Sequence, residues 1–252
     1  MPKILPQIES INMLEQVVVS LKKTGKKFIF RGQSKDMPLM PQAARCNPIT
    51  ATNEIKIFED FKKRMTCYLG NREEIAWPNN DFEWFVLAQH YGLITRCLDW
   101  TYFHGVALFF AVNKDIDSDG VIWIYELPPN ESVEWLPLAH RDVVEKQPFE
   151  FLGIKIYHPK SFLDFRTDKQ GAVVTICPYP WRPLEEVVDG NRLIKIFVSK
   201  DFKRVIRTVL SEQHNLTEES LFSKENIIEE IENICRGINS QYAQKSDAVL
   251  VI

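Results

Sequence analysis

Several things this sequence has little of narrow the reading at once. Its five cysteines, Cys46, Cys67, Cys97, Cys177 and Cys235, stand far apart, and no CxxC or CxxH spacing occurs. That excludes the common zinc frameworks, and no metal site is expected. The odd count and the lack of a signal peptide predict free thiols in a reducing cytoplasm. No apolar run reaches the length of a membrane-crossing helix, so no membrane partner is expected. Excess charge of either sign is missing too: 31 Lys and Arg stand against 34 Asp and Glu, for a net charge of -3 and a pI near 6.0. There is therefore no global pull toward nucleic acid or anionic lipid. The basic clusters Lys22-Lys23 with Lys26-Lys27, and Lys200 to Arg207, lack interleaved exposed aromatics and read as solvated faces. Repeats, low-complexity tracts and linkers are absent.

What is present is an aromatic, foldable chain. Its 252 residues are 45% hydrophobic and include 16 Phe and 6 Trp, enough for a large core within one domain. Ile11, Leu14, Val18 and Leu21 at helical spacing predict a helix over 8–24, stopped by Gly25. "KFIFRG" reads as a strand, and 36–53, with Pro38, Pro41 and Pro48, as a long irregular loop. Asn53 caps a predicted helix to about Leu69, with Ile57, Phe58, Phe61 and Met65 on one face. Asp81 caps another through Tyr91, ended by Gly92. "TRCLDWT" is a strand, "FHGVALFFAVN" a buried helix and "GVIWIYEL" a strand. "IKIYHP", "GAVVTIC" and "LIKIFV" follow as strands, then helices near 200–212 and 217–236. No regular βαβ rhythm appears, so the class is α+β. The expectation is a single domain over 1–252, with a central mixed or antiparallel sheet flanked by helices. Its motif core is 27–177, and the C-terminal strand and helices of 190–236 pack on it.

The stretch "LAQHYGLITRCLDWT", Leu87 to Thr101, sets a Gln-His pair, an arginine and an aspartate inside apolar padding. Period-two alternation puts Ile29, Arg31 and Gln33 on one face of their strand, and Phe28, Phe30 and Gly32 on the other. In "TRCLDWT", Leu98 and Trp100 share a face while Cys97, Asp99 and Thr101 share the opposite one. If Phe28 and Phe30 meet the same core as Leu98 and Trp100, Arg31 and Asp99 form an ion pair behind it. Gln89 and His90 read either as a helix-end cap or as functional groups. Glu83 reads as a solvated helix charge, with a partnership to Arg96 as the other option.

"FIFRGQ", "LMPQAAR", "LAQHYGLITRCLDWT" and "VALFFA" closely resemble the FRG domain family, named for a Phe-Arg-Gly motif. The family pattern reads FRGQ, L-P-x-x-x-R, QHYGLPTRLLDWT and ALYFA. The matching positions include Arg31, Gly32, Gln33, Pro41, Arg45, Gln89, His90, Gly92, Arg96, Asp99 and Trp100. "FRTDKQGAVVT" resembles a later family strand and brings in Arg166, Gln170 and Gly171. Ile94 replaces the family's usual proline, Cys97 a leucine, and "YFHG" an Asn-Pro-like helix start.

The resemblance extends to features similar to ADP-ribosyltransferases, and implies NAD as a substrate with no metal. On that implication Arg31 and Arg45 clamp the phosphates, and Tyr91 supplies a shelf for nicotinamide. Gln33, Gln89 and Arg96 complete the binding set. Arg31, His90, Asp99 and Gln170 form the catalytic set, with Gln170 where such transferases carry a glutamate. The role implied is an NAD-consuming effector of a bacterial toxin or anti-phage defence system. Two other readings stay open: a non-catalytic module for a nucleotide or phosphate ligand, and a hydrolase or nuclease with His90 as base and Asp99 as its orienter.

Overall fold

The computed structural model describes residues 1–45, 51–70, 78, 80–128, 154–157, 169–177, 181–222 and 226–246. In chain order the elements are β1 (Lys3–Ile8), α1 (Ile11–Lys22), β2 (Phe28–Gln33), α2 (Gln42–Arg45), α3 (Ala51–Leu69), α4 (Asp81–His90), β3 (Cys97–Thr101) and α5 (His104–Val112). They continue with β4 (Gly120–Glu126), β5 (Lys155–Tyr157), β6 (Ala172–Ile176), α6 (Leu184–Val187), β7 (Leu193–Val198), α7 (Lys200–His214), α8 (Glu218–Leu221) and α9 (Asn226–Ser246). The strands form one seven-stranded sheet in the order β1-β7-β4-β2-β3-β6-β5. Among the described strands only β1 and β7 run parallel, so the sheet is mixed and the fold α+β. The sequence reading misses β1. Its exposed, Pro6-containing "KILPQI" suits an edge strand, where a missing N–H costs no ladder bond.

Two apolar clusters share one sheet face. Phe30, Ile122, Ile124, Ile194 and Ile196 pack under α1, α5 and α7. Cys97, Val174 and Ile176 pack under α3, α4 and α9. Directly paired Phe30 and Thr101 place the two clusters on the same side. On the opposite face lie Ile29, Leu98, Trp100, Trp123 and Tyr125. Phe30 and Trp100 therefore face opposite ways, so the condition for an Arg31–Asp99 ion pair fails. Alternation sends the two side chains to different faces.

Two glycines let α5 lie directly on the sheet. A Cβ on Gly32 would come 1.8 Å from the Ala107 carbonyl oxygen, and one on Gly120 2.3 Å from that of Ala111. The glycine of "FRG" and the alanines of "VALFFA" are one packing device.

Local differences from the sequence reading have local causes. Asn80, not Asp81, caps α4, its side chain accepting the N–H of Glu83. Helix α4 is buried all round, Glu83 included at 1% exposure, so Glu83 is no solvated charge. The region 217–236 holds two helices, α8 with a Thr217–Ser220 capping box and then α9. Lys203 in the second basic cluster is buried, its ammonium donating to the carbonyls of Ser34, Lys114 and Asp115 at 2.5, 3.2 and 3.0 Å. Among the described residues no helix is long and apolar enough to cross a membrane.

Candidate functional site

The site lies where the sheet comes apart. Strands β2 and β4 pair over six residues, and β3 and β6 over five, but β2 and β3 meet only at Phe30 and Thr101. Past that point the two strands diverge, and a cavity of about 300 Å³ occupies the seam between the two helix-covered clusters. Val86, Val106, Phe110, Val174 and Phe222 supply apolar wall. Arg31, Gln89, His90, Asp99, Thr101 and Gln170 supply the polar groups.

Arg31 stands in the split. One terminal nitrogen, Nη1, donates to the Asp99 backbone carbonyl at 2.5 Å, replacing a ladder bond that the diverging strands cannot make. The contact is to the backbone, not to the carboxylate, which corrects the expected ion pair. Arg31 Nε is buried with no hydrogen-bond partner among the described residues. Burial draws the guanidinium pKa below its usual value, Asp99 opposes that, and Arg45 adds to it. A buried donor without a partner costs about 1–3 kcal/mol, which a ligand oxygen would recover.

The Asp99 carboxylate is exposed to the cavity and held by Gln89, whose Nε2 donates to Oδ2 at 2.8 Å. The Gln89 amide is itself oriented: its Oε1 accepts from the Thr95 hydroxyl, which accepts the Cys97 N–H at 3.1 Å. This fixes which end of the amide points at Asp99. Helix α4 ends in a left-handed Gly92 at φ 85°, with Gly92 N–H donating to Gln89 O and Leu93 N–H to Ala88 O. That Schellman turn explains the Tyr-Gly break and brings Thr95 back onto Gln89.

The far wall is tied together from distant chain. The Thr101 hydroxyl donates to the Gln170 carbonyl at 2.5 Å, and Gln170 Nε2 donates to the Leu221 carbonyl at 2.9 Å. Phe222 follows and meets Phe110 edge-on at 6.1 Å. Neither Phe222 nor Phe110 was foreseen as a site residue, since nothing local marks them off from core aromatics.

Residues 26–120 match the model of the FRG domain family. The chain carries an FRG domain. No curated protein and no solved structure matches the chain. The FRG segment brings Arg31, Gly32, Gln89, His90, Asp99, Thr101 and Phe110 to the cavity, while Gln170, Ala172, Val174 and Phe222 come from beyond it.

Of the sequence-predicted residues, Arg31, Gln89, His90, Asp99 and Gln170 converge on this FRG cavity. Four others lie elsewhere. Arg96 is 3% exposed and makes a buried ion pair with Glu54, at 2% exposure, Nη2 to Oε2 at 2.7 Å. Glu54 Oε1 also accepts the Arg96 backbone N–H at 3.0 Å, so neither charge is open to a ligand. Gln33 Oε1 accepts from Trp123 Nε1 at 2.9 Å within the core of the opposite face. Tyr91 is buried in the α3–α4–α9 cluster, outside the cavity walls, and cannot form a nicotinamide shelf. Arg45 ends α2 exposed to solvent, also outside the walls. Arg166 lies outside the described residues.

His90 borders the cavity with its ring edge-on to Tyr91 at 5.3 Å. The Asp99 carboxylate is oriented by the Gln89 amide. Among the described residues no three His, Cys, Asp or Glu side chains gather to hold a metal.

Proposed function

We propose that the FRG cavity binds a nucleotide, with NAD as the first candidate, and that the chain breaks the bond between nicotinamide and ribose. The observation that carries the reading is a buried Arg31 Nε, unpartnered among the described residues, beside a carboxylate, Asp99, that Gln89 holds at the opening of the sheet. A guanidinium donor suits a phosphate oxygen, and a fixed carboxylate suits the positive charge of a ribosyl cation. A volume of about 300 Å³ fits the nicotinamide riboside end, leaving the adenylate toward the mouth. Phe110 and Phe222 offer the aromatic wall that the resemblance assigned to Tyr91.

In this scheme the C1′–N bond breaks and its electron pair leaves with nicotinamide. Asp99 stabilises the ribosyl cation, and water or a nucleophile on a target takes the ADP-ribosyl group. Gln170 orients but carries no charge, so Asp99 does the electrostatic work. In a bacterial cell such a reaction lowers NAD, the action of a toxin or anti-phage defence effector. The direct test is nicotinamide release from NAD by the purified chain, with label transfer scored in lysate. Asp99→Asn is expected to lower turnover about a hundredfold, the scale for losing one pre-placed electrostatic group. A folded chain that releases no nicotinamide and transfers no label removes the reading.

A second reading, a binding module without turnover, is favoured by one observation. The position matched to the transferase glutamate is an amide, and its Nε2 is committed to the Leu221 carbonyl. Calorimetry showing nucleotide binding that depends on Arg31, with no nicotinamide released, selects it.

A further inference from the structure

The FRG match stops at residue 120, yet the turn that orients the Gln89–Asp99 pair is gripped from helix α9. Asn239 Oδ1 accepts the Ile94 N–H at 3.0 Å, and its Nδ2 donates to the Gly92 carbonyl at 2.8 Å. One acceptor and one donor facing one turn leave a single orientation for that amide. The turn is thus held at Gly92 and at Ile94 from one face of α9. Ile228, Ile231, Cys235 and Ile238 anchor that face in the core.

The grip matters because of what flanks the turn. Gln89 precedes it and Thr95 follows it, and the Thr95 hydroxyl must meet Gln89 Oε1 for Nε2 to point at Asp99. If the turn slides, Thr95 leaves Gln89, and an amide that has lost its anchor rotates freely. A proline at position 94 would have no N–H to give Asn239.

We propose that Asn239 is a positioning residue of this site. It fixes the 92–95 turn, and through Thr95 and Gln89 it fixes the carboxylate of Asp99, so α9 completes a site whose reacting groups come from the FRG segment. Its importance for turnover rests on the proposed function; the mechanical link does not.

The test records the Gln89 side-chain amide by NMR in the full chain, without ligand. In the wild type this amide, bonded to Asp99 and Thr95, is expected to be shifted downfield and protected from water exchange. Asn239→Ala is expected to lose about tenfold of that protection, matching Thr95→Val, which cuts the same link directly. Asn239→Asp keeps the bond from Ile94 N–H and recovers part of the protection; it also reports if the alanine variant fails to fold. Ile238→Val trims a buried methyl from the same helix and leaves the Gln89 signal unchanged. A Gln89 signal that ignores Asn239→Asp and Asn239→Ala, or one that Ile238→Val erases equally, overturns the proposal. If the wild type releases nicotinamide, Asn239→Ala is expected to lower kcat about tenfold with KM nearly unmoved, since ground-state contacts are untouched. An unchanged kcat alongside a lost Gln89 signal sinks the positioning role, whereas a wild type without turnover sinks only the proposed function.

Discussion

Arg31 and Asp99 leave their strands toward opposite faces, and both border one cavity only because β2 and β3 separate between them. Charge and donor geometry then divide their tasks, with Arg31 offering Nε and Asp99 offering a held carboxylate. Arg31→Lys keeps a positive charge but loses the planar fork. Its ammonium can still donate to the Asp99 carbonyl, so the melting temperature is expected to move by only about 2–4 °C, while nucleotide affinity in calorimetry falls at least about tenfold. Arg96 is the contrasting arginine. Arg96→Ala strands the buried Glu54 carboxylate, and a loss of about 3–5 kcal/mol in urea unfolding is expected. The double change Arg96→Met with Glu54→Leu should recover most of it. The two arginines look alike in the sequence, each in a motif beside apolar residues. They differ through a partner on α3 that no local pattern names.

At the scale of elements, two glycines of the motifs are needed for different reasons. Gly92 sits at φ 85° with open space where a Cβ would go, so Gly92→Ala is expected to cost about 1–2 kcal/mol of left-handed strain in denaturant unfolding. Gly32 has ordinary φ but an α5 carbonyl 1.8 Å from a Cβ position, so Gly32→Ala must push α5 off the sheet. Circular dichroism and gel filtration should find that variant unfolded or aggregated. Much of this level is legible in the sequence. Period two and period 3.6 locate β2, β3, β4, α3 and α5, because each has a strongly apolar face. The short α8 and the edge strand β1 escape, since their bonds go to capping side chains or to distant β7. The opening between β2 and β3 escapes as well, because alternation gives faces but not where a ladder stops. That is why the five converging residues were legible and their roles were not.

For the whole molecule, the FRG segment is not self-sufficient. Strand β7 stands between β1 and β4, β6 lies beyond β3, and α9 covers the α3–α4 cluster. A fragment of residues 26–120 ends at the first residue of β4 and so strips β2 of its six-residue partner and β3 of β6; it is expected to give no cooperative melting transition, unlike the full chain. Alkaline stability is a second global property. Burial pushes the Cys177 and Cys235 thiols up to about 12 and that of Cys97 well above its usual 9.0. Such thiols favour the folded state fully below about pH 9, where an unfolded thiol also keeps its proton. The contribution fades as pH climbs from about 9 toward 12, so the melting temperature should fall over that window. Cys235→Ala should flatten the fall, and exposed Cys67 should react with a thiol reagent before the three buried cysteines.

The strand order also has a temporal meaning. Because a nascent polypeptide leaves the ribosome from its N-terminus, β1 and β4 must wait for β7 to be synthesised before the sheet between them can close. The groups that form the hollow are all translated by Phe222, yet the helix that steadies them emerges after them. If the hollow destroys NAD, the cell making the protein is shielded from it until α9 has been made.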